Sequence, residues 1–377
     1  MGTIFTIGIF LSFFLQFLLL AKPDKSTSDK ILAVWMFVAG IHLFSFFMGQ
    51  QGYWELYPSL AGLHHPLPLL HGPLLYLYVV YSLRTDQRFG LINYIHFLPP
   101  LGFYLYMIPF FFQYSAEERA LINSGAMDDY ATFIAFSLVA FLISGIGYAV
   151  ASYRLLNRYQ DITKQNFAYK ESIDLNWLKH FIIGMGVIFG IAILLAVLQE
   201  WVGVQFGFNT DIIFYSLIIL FIFYLGYSGI IHQGIFSTSN APVAIVEEDT
   251  KDSYKRSGLK ESDAKLYHEK LMTIMKKEKP YLEPKLSLVG LAEHLDISPN
   301  HLSQIINQCE DKNFYDFVNH YRVEEFKKRV LDPENSNFSL LAIAYDSGFN
   351  SKSSFNDVFK KTVGKTPTQY LHSKKES

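Results

Sequence analysis

Cysteine is nearly absent: Cys309 is the only one in 377 residues. A single thiol closes no internal disulfide and builds no cysteine-rich zinc site, so a disulfide framework and a zinc finger are both excluded. Charge is scarce as well, at 18% Asp, Glu, Lys and Arg, against about 25% in an ordinary soluble domain. Hydrophobic residues make up half of the chain and aromatic residues 16%. The formal net charge of −2 decides little, because a nucleic-acid surface depends on where positive charge is displayed rather than on its sum.

The shortage of charge is local. Residues 1–240 hold 11 of the 32 Lys and Arg and 13 of the 34 Asp and Glu, while residues 241–377 hold 21 of each. Two chemistries are therefore joined in one chain. In the first, seven segments reach the roughly 20 apolar residues that a helix needs to cross hydrocarbon while satisfying its own backbone. They are expected near Ile4–Ala21, Ile31–Met48, Pro66–Leu83, Leu91–Phe112, Phe133–Ser152, His180–Trp201 and Ile212–Ile231. The third is the least regular, since Pro66, Pro68 and Pro73 crowd its start and proline removes helix hydrogen bonds beyond the first turn. The first lacks a preceding basic stretch and a following small-residue cleavage site, so it is expected to stay in the mature protein.

Loop charges set an orientation. Loops 1, 3 and 5 carry Lys22, Lys25 and Lys30, then Arg84 and Arg88, then Arg154, Arg158, Lys164, Lys170 and Lys179, whereas loops 2, 4 and 6 carry Arg119 alone. Positive loops favour the cytoplasmic side, so the N-terminus is expected outside, and an odd number of spans places everything after Ile231 in the cytoplasm.

Catalytic and metal chemistry find little purchase in this half. His42, His64, His65, His71 and His96 offer imidazoles, but no helix carries His at i and i+4 beside a carboxylate, so hydrogen bonding or ligand contact is expected in place of a metal. Gly184, Gly186 and Gly190 lie inside an apolar run with no preceding strand, which points to close helix packing and away from a nucleotide loop. No nucleophile, base and orienting group come together, and no cofactor is expected. Internal repeats and charged residues within spans, the marks of a transporter, are also missing.

Beyond the last span, Ser237–Pro242 is turn-rich and Glu247–Gly258 is polar without apolar period, which reads as a linker. Ala264, Tyr267, Leu271, Ile274 and Met275 then follow the spacing of an amphipathic helix over Lys260–Lys277, and Pro280 stops it. Ser287–Asn307 divides into two short helices around Asp296-Ile297, with Ser298 as N-cap and Pro299 at the first helical position. Leu288, Leu291, Ala292 and Leu295 can close a small core with Ile297, Leu302, Ile305 and Ile306. Asn300, Ser303, Gln304 and Asn307 are left on a polar face that suits base edges in a major groove.

The pattern returns in Ser339–Lys361. Gly348 supplies the turn, Ser351 the cap, and Phe355, Val358 and Phe359 the inward face, with Lys352, Ser353, Asn356 and Asp357 outward. Between the two units, Asn313–Leu331 reads as one helix about 28 Å long. A rigid spacer of that order suits two readers placed in successive major-groove segments, given a DNA turn of about 34 Å.

These residues resemble the AraC-type (AraC/XylS) DNA-binding domain over roughly Lys276–His372. The resemblance rests on the first unit and on the long helix with Tyr321-Arg322-Val323. It rests also on Ile343-Ala344 followed after three residues by Gly348-Phe349, on Ser351-Lys-Ser-Ser-Phe355, and on Gly364-Lys-Thr-Pro367 with Tyr370. The front of the chain looks like the seven-helix sensor regions of some bacterial members. The resemblance implies a bacterial transcription factor, with base contacts at Asn300, Ser303, Gln304, Lys352, Ser353, Asn356 and Asp357, and the apolar spans place it in the cytoplasmic membrane. Asp357 departs from the pattern, which often has arginine there. Ser298 and Ser351 are expected to anchor phosphates, with Lys360, Lys361 and Lys365 adding sequence-independent attraction. Lys327-Lys328-Arg329 is expected to be a solvated helix face.

The expected fold is all-α, a seven-helix transmembrane bundle followed by a cytoplasmic helical domain with two helix-turn-helix units. Residues 1–236 form the membrane domain, 237–259 a linker and 260–279 an amphipathic connecting helix. Residues 280–377 form the DNA-binding domain, with units at 287–308 and 339–363. Expected partners are double-stranded DNA, the lipid bilayer, a small-molecule or membrane-borne signal, a second copy of the chain and RNA polymerase. A one-component sensor is the leading reading, and a transporter or membrane enzyme with a regulatory DNA-binding tail is the alternative.

Overall fold

Local sequence dictates helix almost everywhere, and helix is what forms. The computed structural model describes residues 2–57, 62, 64–83, 89–123, 127, 129–168, 175–200, 202–231 and 261–375. The expected linker at 237–259 and the loop charges Arg84, Arg88 and Lys170 lie outside the described residues. Among the described residues there is no strand, only one isolated antiparallel bridge between Phe167 and Ser287.

The apolar half contains α1 (Gly2–Ala21), α2 (Thr27–Gln50), α3 (Tyr53–Leu56), α4 (His71–Leu83), α5 (Leu98–Tyr106), α6 (Ile108–Gln113) and α7 (Ala116–Asn123). It continues with α8 (Ala131–Asn166), α9 (Asn176–Glu200) and α10 (Asp211–Ile231). The start of α2 follows from a capping box, in which Ser26 accepts from the Asp29 amide and Asp29 accepts from the Ser26 amide.

Six helices, not seven, are long and apolar enough to cross a membrane among the described residues. The expected third span is the one that falls short. Leu67–Leu83 has 17 residues, and its first four, Leu67–Leu70, form a 3-10 turn before α4 begins. Prolines 66, 68 and 73 limit its backbone bonding, and the segment is roughly 28 Å long against about 30 Å of hydrocarbon. The fourth, Leu91–Gln113, meets the length only in pieces: a 3-10 stretch at Leu91–Phe97, then α5 and α6, each with proline in its first turn. An even number of crossings returns both ends of a chain to one side, so the shortened helix and the loop charges pull the topology in opposite directions.

The described residues form two compact units, 1–157 with 175–243 and 158–174 with 244–377. The core of the first is built on Leu32, Trp35, Leu75, Phe181 and Phe189. Through it runs a chain of buried polar groups. Trp35 Nε1 donates to His71 Nδ1 at 2.9 Å, which leaves the His71 proton on Nε2, 3.1 Å from His42 Nδ1; His42 Nε2 then lies 2.7 Å from the Tyr215 hydroxyl. Each partner satisfies the next, as buried polar groups require. The expected glycine packing holds in part: a side chain built at Gly184 would touch Phe221 and one at Gly186 would touch Ala149, each at 3.7 Å, nothing lies within 4 Å at Gly190, and one at Gly145 would overlap the Phe189 ring.

The second unit contains α11 (Glu261–Lys277), α12 (Leu288–Glu293), α13 (Pro299–Glu310), α14 (Phe314–Val330), α15 (Leu340–Asp346), α16 (Lys352–Val363) and α17 (Pro367–Lys375). It has two cores. Leu271, Met275, Leu288, Leu291, Leu302, Ile306, Phe314, Phe317 and Val318 form one, and Val323, Phe326, Ile343, Phe349, Phe355, Phe359 and Tyr370 the other. The spacer helix α14 therefore gives its first half to one core and its second half to the other.

Candidate nucleic-acid interface

Helices α13 and α16 begin the same way. Ser298 accepts a hydrogen bond from the His301 amide with Pro299 in the first turn of α13, and Ser351 accepts from the Ser354 amide at the start of α16. Each cap satisfies one of the amides that a helix start leaves unbonded, and the positive end of a helix dipole favours an anion. The helices before them, α12 and α15, are likewise capped by Ser287 and Ser339.

The turns differ. In the first unit Asp296 takes the left-handed conformation at φ +54°, which Asp tolerates better than most residues. In the second, Gly348 takes it at φ +94°, and a side chain there would collide with the Tyr281 carbonyl oxygen and lie 3.0 Å from Arg322 Nε.

Between the units α14 spans 17 residues, with Asn313 capping its start by accepting from the Asp316 amide. At ~1.5 Å per residue it is about 25 Å long. Arg322, at its middle, is 1% exposed and donates to three main-chain carbonyls: Tyr281 at 2.8 Å, Glu283 at 2.7 Å and Ala168 at 2.7 Å. Burial pushes this guanidinium down to about 10, which still leaves it charged at neutral pH. One turn further, Glu325 accepts from Lys279, Tyr281 and Arg329. Burial raises its carboxyl, but the bonds from Lys279 and Arg329 outweigh that and hold it below the ordinary carboxylate value.

The expected DNA contacts fall into different settings. Lys352, Ser353, Asn356 and Asp357 are exposed on one face of α16. Asn300 is half-buried, whereas Ser303 and Gln304 are each 7% exposed and so closed to a base edge in this conformation. Lys360 and Lys365 are exposed, and Lys361 pairs with Asp316 of α14 at 2.9 Å. In the cluster Lys327-Lys328-Arg329, the first and last pair with Glu324 and Glu325 of their own helix and Lys328 is exposed. Among the described residues, Arg322 and Glu325 carry the most side-chain hydrogen bonds of α14; sequence patterning assigned neither a role, although Arg322 stands in the Tyr321-Arg322-Val323 stretch of the resemblance. Their signal was present only as charge at positions where the helix turns inward. No group of three or more His, Cys, Asp and Glu suited to a metal occurs among the described residues.

Comparison with known proteins agrees with this geometry. Residues 291–373 match the family model described as "Helix-turn-helix domain". The chain is 28% identical over 100 residues to the HTH-type transcriptional regulator GlxA of Rhizobium meliloti (strain 1021), covering 26% of this chain and 30% of that one. It is 35% identical over 85 residues to an uncharacterized HTH-type transcriptional regulator of Staphylococcus aureus (strain COL), covering 22% and 11%. The chain thus spans less than a third of the length of these curated relatives. No solved structure matches. The C-terminal part of this protein is a helix-turn-helix domain similar to those of HTH-type transcriptional regulators.

Proposed function

We propose that the protein is a membrane-embedded, sequence-specific DNA-binding transcription regulator. The observation that carries this reading is α14 itself: one rigid helix anchors a helix-turn-helix core at each end, which is the geometry for reading two adjacent groove segments. Direct readout is assigned first to Lys352, Ser353, Asn356 and Asp357, with Asn300 contributing from the first unit. Ser303 and Gln304 join them once the face of α13 is uncovered. Ser298, Ser351, Lys360 and Lys365 are assigned to phosphates, and Lys361 competes with its pairing to Asp316.

Membrane insertion is supported by the six long apolar helices, and a cytoplasmic C-terminal domain by the Lys and Arg bias of loops 1, 3 and 5. A helix that misses the hydrocarbon thickness by a few Å costs only a fraction of a kcal/mol per Å, so we give the loop charges precedence over the short α4 segment in setting topology. A signal at the membrane that favours one state of the apolar half would bias the DNA-binding unit. The relatives are named as transcriptional regulators, which favours this reading over a transporter or membrane enzyme with a regulatory tail.

The test is binding of the full chain, reconstituted in lipid nanodiscs, to a pool of random 30-base-pair duplexes. Affinity is expected to fall with salt at a slope near −0.9 for each phosphate neutralised, and successive selection is expected to enrich one asymmetric site. Absence of binding at ~50 mM salt would overturn the reading.

A further inference from the structure

One short stretch of the second unit comes from far away in the sequence. Residues 158–174 belong to that unit, although they lie between the fifth and sixth expected spans. The long α8 ends at Asn166, and the two residues after it meet the helix-turn-helix domain through their main chain. Phe167 forms the antiparallel bridge with Ser287, the residue that caps α12. The Ala168 amide donates to the Leu286 carbonyl at 3.2 Å. The Ala168 carbonyl accepts from Asn319 Nδ2 at 3.0 Å and from Arg322 Nη1 at 2.7 Å. Ala168 is fully buried and is part of the first core.

The receiving notch is specific in its chemistry. A buried guanidinium needs acceptors in fixed directions, and here all three carbonyls are main-chain groups. Two of them, Tyr281 and Glu283, belong to the segment that leads into the first unit, and Gly348 of the second unit packs on the same Tyr281 carbonyl. The third, Ala168, completes the set. The Ala168 carbonyl therefore sits where the two helix-turn-helix motifs and the spacer helix α14 meet.

We propose that the main chain of Phe167–Ala168 is an internal ligand of the helix-turn-helix domain. Seated against Leu286, Asn319 and Arg322, it holds the first helix-turn-helix to α14, so that DNA affinity depends on the segment that follows α8. The consequence for DNA rests on the function proposed above; the docking itself does not. Unseating the segment frees one direction of Arg322 and loosens the entry to α12, which weakens binding at the first unit.

The test uses the full chain in nanodiscs with Cys309→Ser. Cysteines at both bridge partners, Phe167→Cys and Ser287→Cys, stand within disulfide reach across an antiparallel pair. Mild oxidation is expected to give a linked peptide between positions 167 and 287 in most molecules, with affinity for a selected 30-base-pair duplex unchanged between oxidised and reduced forms. Ala168→Arg, which cannot fit the buried site, is expected to lower that affinity at least about fivefold. Ala168→Gly keeps the amide and carbonyl and is expected to bind as the parent does. Amide exchange in 352–363 serves as the control that the second unit stays folded. Failure to form the linked peptide overturns the docking. Formation of the link together with parental affinity in Ala168→Arg overturns its role in binding. A parent that binds no DNA defeats the functional reading, while the linked peptide still decides the docking.

Discussion

The two helix-turn-helix units share a plan and differ in what surrounds it. Helices α13 and α16 both start on a serine cap, both stand on α14, and both pack an apolar face inward. In the second unit the polar face is open at Lys352, Ser353, Asn356 and Asp357. In the first, Ser303 and Gln304 are buried although they are polar. The first unit also carries the contacts with Ala168, and its turn is made by Asp296 where the second uses Gly348. Two copies of one motif can thus share a fold and differ in which polar side chains they leave open.

The largest expected effect separates the units by stability. Phe359→Ala removes a fully buried ring of the second core and is expected to cost about 4 kcal/mol, read as faster amide exchange in α16 with α12 and α13 little changed. Gly348→Ala breaks the separation. Its left-handed turn and the collision with Tyr281 predict a loss of about 3 kcal/mol, and because Tyr281 and Arg322 are shared, exchange is expected to rise in both units. A rise confined to the second would show that the junction does not couple them.

Asymmetry in readout comes next. Lys352→Ala and Asn356→Ala are each expected to weaken binding to a selected site by ~1–3 kcal/mol. Ser303→Ala and Gln304→Ala are expected to cost under about 1 kcal/mol each, given their burial. Equal losses in a duplex-binding assay would mean that α13 opens fully on DNA. Among the phosphate contacts, Lys360→Ala and Lys365→Ala are each expected to lower the salt slope by about 1, and Lys361→Ala by less, since Asp316 already holds that ammonium.

The smallest effect concerns the junction's charge. Glu325 is held below its ordinary value, so the unfolded chain binds its proton more readily than the folded one. Its stabilising contribution is therefore complete above the unfolded pKa of about 4.5 and fades as pH falls through the lower folded value. Glu325→Gln is expected to flatten the acid limb of a stability-against-pH curve measured by amide exchange.

Much of the second unit's fold was legible because its signals are local. A serine before Pro299, a serine before Lys352 and a glycine at 348 each declare a backbone geometry within a few residues. The apolar spacing of Asn313–Leu331 anticipated α14 at Phe314–Val330 with its two caps. The irregular start of the third span was legible in Pro66, Pro68 and Pro73, but how much helix those prolines leave, Leu67–Leu83 with a 3-10 first turn, was not. Periodicity showed that Ser303 and Gln304 lie on a polar face, but it carries no information about what lies over that face. Lys361 was expected to attract phosphate, and no local pattern shows that it also pairs with Asp316, 45 residues earlier.

What the sequence alone determined is everything that depends on near neighbours: helix, caps, turns, the division between apolar and charged halves, and the repeated helix-turn-helix pattern. Tertiary structure decided which polar residues are open and what Arg322 holds. It also decided that a carbonyl at position 168 completes a site at position 322. Those outcomes depend on main-chain groups brought together across about 150 residues, and a carbonyl oxygen is the same in every amino acid, so no choice of residue type announces where it will be used.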